Sequence, residues 1–264
     1  MTFHVAKKLG GSLNPDIFLL FSDTFLITVS GTMINIHDIS TKTLIKSYEY
    51  HDFPIKSLAL FEDSSKNREI FSVDASGLIK SVNFRTDVTS FSFHLRETLI
   101  CAVFCRKLKK IAYKPASLRA TLKFFDFFTK EVQLFHYESA ENPQKSSEAA
   151  EDIAQGLVLS ADEGYLLEFH GKSVIIFEIF DEISKKNVIS HDNLVTCVAL
   201  RPDNSRLAVG DCLGKIYLYY EPVRKSQENV KFSKFHWHCR PVLCVKFNEF
   251  SNVLMSGGFE VNFL

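Results

Sequence analysis

The sequence predicts an all-β protein built from one repeated four-stranded unit, and three observations support this prediction. Three segments align with one another without gaps, and each begins at a histidine: His51, His191 and His238. Strand-forming residues are abundant, with 25 Phe among 264 residues, and no alternating helical pattern interrupts them. Turns that contain Gly join pairs of apolar segments at regular intervals, as they do in antiparallel sheets.

The first strand of each unit follows the histidine at a fixed offset. The fourth residue after it is Ile55, Val195 or Val242, and the sixth is always small: Ser57, Cys197 or Cys244. The spacing from His191 to His238 is 47 residues, and the spacing from His51 to His191 is about three such steps. Two further first strands are therefore expected in the gap, at Leu99 and Ile153.

The second half of each unit is a pair of strands around an Asp-containing turn. RLAVGDCLGKIYLYY aligns with REIFSVDASGLIKSV, which places Asp74 on Asp211 and Gly77 on Gly214. Gly supplies the positive φ that such turns demand, and Asp can accept hydrogen bonds from nearby backbone amides. Three extra residues in the SSKNR hairpin of the earlier copy explain its longer spacing from histidine to aspartate.

A repeat of about 40–45 residues with four strands is typical of the blades of a WD-repeat β-propeller. The predicted blades span residues 15–50, 51–94, 97–137, 153–190 and 191–236, and a sixth begins at His238. This sixth blade is expected to stop within its third strand, so that about five and a half of seven blades form an incomplete propeller over residues 1–264 with exposed apolar edges. A gene model or isoform that is cut short is the alternative. Residues 138–152 are polar and predict a mobile loop between blades three and four.

Composition excludes several functions. The net charge is zero and the pI is about 7.1, so the broad basic surface typical of nucleic-acid-binding domains is absent. No apolar run reaches the roughly 18 residues that a membrane helix needs, and the N-terminus lacks a secretory signal. The chain is therefore expected to be intracellular, with its Cys acting as small core residues rather than as disulfides. We expect no membrane partner and no cofactor.

The segment from Asn193 to Leu264 resembles the WD-repeat protein 75 family. The motifs that carry this resemblance are TCVALRPDNSRLAVGDCLGKIYLYY, FHWHCRPVLCVKF and LMSGGFEV, and the N-terminal KKLGGSLN and FLITVSGTMINIHDIST also resemble the family's first blade. The chain departs from the family at its end, where VNFL replaces a strand ending in Trp. Family members are also much longer, with a second propeller and a C-terminal extension.

The resemblance implies a non-catalytic scaffold in ribosome biogenesis. Proteins of this family belong to the transcription-linked subcomplex of the small-subunit processome. They assemble on nascent pre-ribosomal RNA in the nucleolus and support its transcription and processing. The implied partners are other WD-repeat subunits, pre-ribosomal RNA and the U3 small nucleolar RNA particle, with no small-molecule substrate. The alternative is a generic WD-repeat interaction module, such as a substrate receptor or a trafficking scaffold.

The repeated His and Asp residues are interpreted as structural. A catalytic site is normally built once, whereas His51 and His191 recur at one repeat position. In WD folds this histidine commonly bonds the turn Asp and a strand hydroxyl, which implies a pair between His51 and Asp74 and another between His191 and Asp211. The repeat positions of this kind are His51, Asp74, Gly77, His191, Asp211, Gly214, His238, Gly257 and Glu260.

Two clusters suggest binding sites. His236, His238 and Cys239 could ligate zinc, but a second spaced ligand pair is not visible, and His238 is better explained as the turn histidine of its repeat. The densest basic run is RKLKKIAYK, which could contact RNA phosphates or a partner or could be a solvated hairpin edge. Its basic residues are Arg106, Lys107, Lys109, Lys110 and Lys114.

Overall fold

The computed structural model describes residues 18–21, 24–62, 68–117, 120–137, 155–180, 183–224 and 230–258. Within these ranges every regular element is a strand, and the chain divides into two compact units, Met1–Leu99 and Ile100–Leu264. No helix that could span a membrane occurs in the described part of the chain. The all-β prediction is confirmed. The predicted loop at 138–152 and the third strand of blade six lie outside the described residues.

The strands form antiparallel meanders in which each strand pairs with the next. The first unit contains two four-stranded sheets. Sheet one comprises β1 (Phe18–Phe21), β2 (Phe25–Ser30), β3 (Met33–Asp38) and β4 (Thr43–Glu49). Sheet two comprises β5 (Ile55–Glu62), β6 (Arg68–Asp74), β7 (Leu78–Asn83) and β8 (Thr89–His94).

The second unit contains the remaining sheets, and its first strand begins at the boundary of the two units. Sheet three comprises β9 (Leu99–Cys105), β10 (Lys110–Pro115), β11 (Thr121–Asp126) and β12 (Val132–His136). Sheet four comprises β13 (Gln155–Leu159), β14 (Tyr165–His170), β15 (Ser173–Glu178) and β16 (Ser184–Ser190). Sheet five comprises β17 (Val195–Leu200), β18 (Arg206–Asp211), β19 (Lys215–Tyr220) and β20 (Phe232–His236), and sheet six has β21 (Val242–Phe247) and β22 (Leu254–Gly258). These are blades of the propeller class, and the first strands expected near Leu99 and Ile153 are β9 and β13.

A β-bulge recurs at the same repeat position, directly before the small residue of each segment. In β5 the register shifts between Ile55 and Ser57, and β17 and β21 shift at the equivalent places, before Cys197 and before Cys244. A bulge inserts one extra residue and increases the local twist of the strand. The gapless alignment of the three segments therefore reflects one shared backbone geometry.

Within the second unit, adjacent sheets pack face to face, so the inner strands of the middle sheets are buried on both sides. In β14, Leu166 packs with residues of sheet three, whereas Leu167 packs with residues of sheet five. In β18, Leu207 and Ala208 divide in the same way between sheets four and six. This explains why the sequence lacks strict alternation in these strands. The last strands of the sheets, such as β8 and β12, are largely exposed.

Candidate functional site

The histidine network of blade two is complete. The Nδ1 atom of His51 lies 2.9 Å from Asp74 Oδ2, and its Nε2 atom lies 2.7 Å from the Ser72 hydroxyl, with all three residues buried. Burial lowers the pKa of His51, although the neighbouring Asp74 opposes this shift. The neutral ring then donates Nδ1–H to the carboxylate and accepts from Ser72. The pair implied by the resemblance is present.

The turn after β6 depends on the other oxygen of the same carboxylate. Asp74 Oδ1 accepts hydrogen bonds from the backbone amides of Ser76 (2.9 Å) and Leu78 (3.1 Å), and also from the Ser76 hydroxyl. Gly77 in this turn has φ +88°, and an added Cβ would meet the carbonyl oxygen of Glu97 at 2.6 Å. One buried carboxylate therefore joins the turn to the loop that contains His51.

Blade five departs from this arrangement, and the expected pair between His191 and Asp211 is wrong. Nδ1 of His191 lies 2.9 Å from the Tyr219 hydroxyl, while Nε2 stays 4.0 Å from Asp211 Oδ2, beyond hydrogen-bond distance. Asn193 donates to that oxygen instead, at 2.9 Å. The physical reason is Val209, which stands where blade two has Ser72 and offers no hydroxyl to the ring.

Blade six keeps the strand hydroxyl of the network but lacks the turn carboxylate, the reverse of blade five. His238 Nε2 lies 2.8 Å from the Ser256 hydroxyl, as in blade two. However, Gly258 pairs with Val242 in the register that places Asp74 opposite Ile55, so no carboxylate stands at this position. Gly257, predicted as a repeat position, lies one residue earlier in β22, and Glu260 lies outside the described residues. No group of three or more His, Cys, Asp or Glu that could hold a metal occurs among the residues described, and His238 has the role of the turn histidine.

A hydroxyl at position 209 should satisfy the buried His191. We expect Val209→Thr to change the unfolding free energy by less than about 1 kcal/mol, because the ring can then take the orientation of His51 and bond the new hydroxyl. The same substitution at Val174, which is equally buried, should cost about 1–3 kcal/mol because it buries a hydroxyl without a prepared partner. Urea denaturation of both variants measures the difference. Equal losses at the two positions would contradict the role assigned to Val209.

The basic run lies on β10 and on the hairpin that precedes it, and its members differ in exposure. Arg106, Lys107 and Lys109 are exposed, and Lys110 is half-buried. Lys114 is buried in β10, where its ammonium group pairs with the Glu168 carboxylate of β14. The predicted RNA contact through Lys114 is therefore wrong, because a phosphate could reach it only by breaking this buried ion pair.

The Glu168 carboxylate also accepts a hydrogen bond from the Tyr137 hydroxyl, which lies 3.4 Å from Lys114 Nζ. Burial and the nearby Glu168 charge raise the pKa of Tyr137, so the phenol remains a donor. The three groups join sheets three and four through polar contacts within an otherwise apolar interface.

The exposed part of the run is tied to blade four through its hairpin. Arg106 Nε donates to the Glu163 carboxylate at 3.0 Å, and the Lys107 ammonium group donates to the Asp162 carbonyl at 2.7 Å. Asp162 in turn accepts from the Asn204 amide at 2.7 Å, which extends the connection to blade five. The hairpin is therefore held in place, while Arg106 and Lys107 remain exposed residues.

Comparison with known families agrees with this architecture over one repeat. A family model described as WD domain, G-beta repeat matches residues 184–219. This stretch is a WD40 repeat. The WD40 frame begins with β16, the last strand of sheet four, and continues through the first three strands of sheet five. The match supports a WD-repeat protein, a class that typically consists of non-catalytic scaffolds and mediates contacts between proteins. A comparison with curated proteins found no match.

The sequence reasoning missed several residues of these sites. The hydroxyl of Ser72, the amide of Asn193 and the carboxylate of Glu168 all complete networks whose other members it had found. Ser72 and Ser256 occupy one repeat position, so the alignment contained the signal for the hydroxyl. Glu168 had no comparable signal, because its partner Lys114 is 54 residues away in the chain.

Proposed function

We propose that the chain is a non-catalytic WD-repeat scaffold that assembles on nascent pre-ribosomal RNA within the small-subunit processome. It acts in the nucleolus, alongside other WD-repeat subunits and the U3 small nucleolar RNA particle, and supports pre-ribosomal RNA transcription and processing. The WD40 repeat at residues 184–219 is the observation that carries the scaffold role. The resemblance of the Asn193–Leu264 motifs to the WD-repeat protein 75 family supports the processome as its location.

The networks around the repeated histidines support a role without catalysis. His51, His191 and His238 occupy one repeat position, and each makes hydrogen bonds inside its own blade. Bonds of this kind stabilise a turn, and the rings of His51 and His191 are also buried. The histidines therefore have a structural role in the proposed scaffold.

Nucleolar enrichment and co-sedimentation test the proposal. A tagged chain should concentrate in nucleoli and sediment with U3 RNA on a gradient, and ribonuclease treatment of the lysate should shift it to lighter fractions. A variant with the blade-two network broken, Asp74→Ala, serves as the control that retention requires the folded scaffold. A diffuse distribution, with recovery of a different set of partners, would overturn the proposal in favour of a generic WD-repeat interaction module.

A further inference from the structure

The turn between β11 and β12 holds an aromatic side chain out in solvent. Asp126 Oδ1 accepts hydrogen bonds from the backbone amides of Phe128 (2.8 Å) and Thr129 (3.2 Å), and Lys130 closes the turn with φ +61°. These bonds to backbone amides are the leading reason that the pKa of Asp126 lies below its ordinary value. Phe128 is 70% exposed on this fixed turn.

The same turn occurs in two other blades, and neither places an aromatic residue at this position. DISTK at 38–42 and NFRTD at 83–87 form the same backbone arrangement as DFFTK at 126–130, including the carboxylate or amide oxygen that accepts from two amides and the final positive φ. Ser40 and Arg85 stand where blade three has Phe128. Since the turn forms equally with Ser or Arg, folding does not explain an exposed phenyl ring here.

This turn lies against the basic hairpin of the same blade. The Phe127 amide donates to the Lys109 carbonyl at 3.2 Å, and the Lys110 ammonium group lies 3.8 Å from the Asp126 carboxylate. The Lys109 ammonium group lies 4.7 Å from the centre of the Phe128 ring, within the range of a cation–π contact. The backbone therefore fixes the ring and the hairpin cations as neighbours before any ligand arrives, which reduces the entropy cost of binding.

Among the exposed charged residues of the hairpin and the turn, the cations outnumber the acidic residues, because Glu131 is the one exposed acidic residue there. Arg106, Lys107 and Lys109 are exposed, whereas Glu163 is buried beneath Arg106. Asp126 is half-buried, and its carboxylate is engaged by the turn amides. A ligand that approaches this hairpin therefore meets cations and a phenyl ring, although the whole chain has no net charge.

We propose that this basic-aromatic surface, formed by Arg106, Lys107, Lys109 and Phe128, binds single-stranded RNA. An unpaired base stacks on Phe128, and the neighbouring phosphates contact the three cations. Stacking on an exposed aromatic within a basic surface is how proteins bind single strands with little sequence preference. The inference deepens the proposed function, on which it rests, because it assigns the contact with pre-ribosomal RNA to one surface of blade three.

The test uses the purified full chain and a labelled single-stranded RNA of about 12 nucleotides, a length within the usual range for such sites. Phe128→Ser should weaken binding at least about fivefold, the lower limit for loss of one stacked base, and Phe128→Trp should retain it. The variant should fold normally because Ser40 occupies the equivalent position in blade one, and its thermal unfolding checks this. Phe53→Ser, at a half-exposed Phe in the turn before β5, is the matched control and should bind as wild type.

The cations are tested by the salt dependence of the same binding reaction. Replacing Lys107 and Lys109 by Gln should reduce the slope of log affinity against log salt by about 0.7 for each lost phosphate contact. Lys172→Gln removes an exposed lysine from the β14–β15 turn, at the opposite end of its blade from the hairpins, and should leave the slope unchanged. An unchanged slope in the double variant would overturn the role of these lysines.

Two results would overturn the assignment of RNA as the ligand. One is wild-type RNA affinity in Phe128→Ser. The other is tight binding of a poly-glutamate peptide, with an affinity equal to that of RNA and with the same loss of affinity in the same variants. That result would indicate an acidic protein as the ligand. The cellular test of the proposed function is separate, because nucleolar enrichment and U3 co-sedimentation can fail while RNA binding persists in vitro. If the chain is nucleolar but its RNA binding does not depend on these residues, only the assignment of this surface is contradicted.

Discussion

Replacing Lys114 with Met should lower the unfolding free energy by about 3–5 kcal/mol, because it leaves the Glu168 carboxylate charged and buried without its counter-ion. The side chains of Lys114 and Glu168 are only 8% and 2% exposed, so water cannot replace the lost partner without opening the interface between sheets three and four. Tyr137 would still donate one hydrogen bond to the carboxylate, which limits the loss but does not neutralise the charge. Chemical denaturation monitored by circular dichroism measures the loss in unfolding free energy.

Two further variants separate the ion pair from the packing around it. In Lys114→Met combined with Glu168→Leu no buried charge remains, and most of the lost stability should return. Lys186→Met removes the lysine of an exposed pair with Glu178, whose atoms lie 2.6 Å apart, and should cost no more than about 1 kcal/mol. Equal losses for Lys114→Met and Lys186→Met would show that the buried pair contributes no more than a surface pair.

The buried ion pair also gives Lys114 a different role from the exposed cations of the same basic run. A sequence reading treats Arg106 to Lys114 as one charged surface, although Lys114 belongs to a strand in the middle of a packed sheet. In a propeller both faces of such a strand are covered, so a lysine there requires a buried acidic partner. That partner comes from sheet four, and local sequence patterns carry no information about it. Variants of Lys114 would reduce RNA binding by unfolding the blade rather than by removing a contact.

The features that could be predicted from the sequence are those in which one backbone geometry repeats from blade to blade. The histidine, the bulge and the turn lie within a single blade, so their offsets are visible in an alignment of the chain with itself. The small residues Ser57, Cys197 and Cys244 are an example, because each follows the same bulge. Contacts between blades join residues that are far apart in the chain, and these could not be predicted from the pattern.

The partner of His191 was mispredicted although the sequence contained the relevant difference. The implied network requires both a turn Asp and a strand hydroxyl, and Val209 removes the hydroxyl while Asp211 remains. The ring then bonds the Tyr219 hydroxyl, and Asn193 takes over the carboxylate. Checking both requirements in each repeat would have predicted a complete network only in blade two. The exposed Phe128 could have been found in the same way, by aligning the three turns.

Replacing Asp74 with Ala should cost at least about 3 kcal/mol, since hydrogen bonds to a charged group contribute about 1.5–3 kcal/mol each. The fully buried carboxylate accepts from His51, from the Ser76 amide and from the Leu78 amide. Alanine leaves the buried ring of His51 and the partly buried turn amides without this acceptor. Asp38→Ala removes the similar turn bonds at the exposed end of β3, where water can replace them, and should cost no more than about 1 kcal/mol.

Asp74→Asn distinguishes loss of the charge from loss of the acceptor. The amide oxygen can still accept from the turn amides, but the amide nitrogen would then face Nδ1–H of His51, which places two donors together. His51 can relieve this conflict by taking its other neutral tautomer, with Nδ1 accepting from the introduced amide nitrogen and Nε2–H donating to Ser72. We therefore expect the stability order wild type, Asp74→Asn, Asp74→Ala, measured by urea denaturation at neutral pH. If Asp74→Ala lost as little stability as Asp38→Ala, the histidine network would not be what holds the turn of blade two.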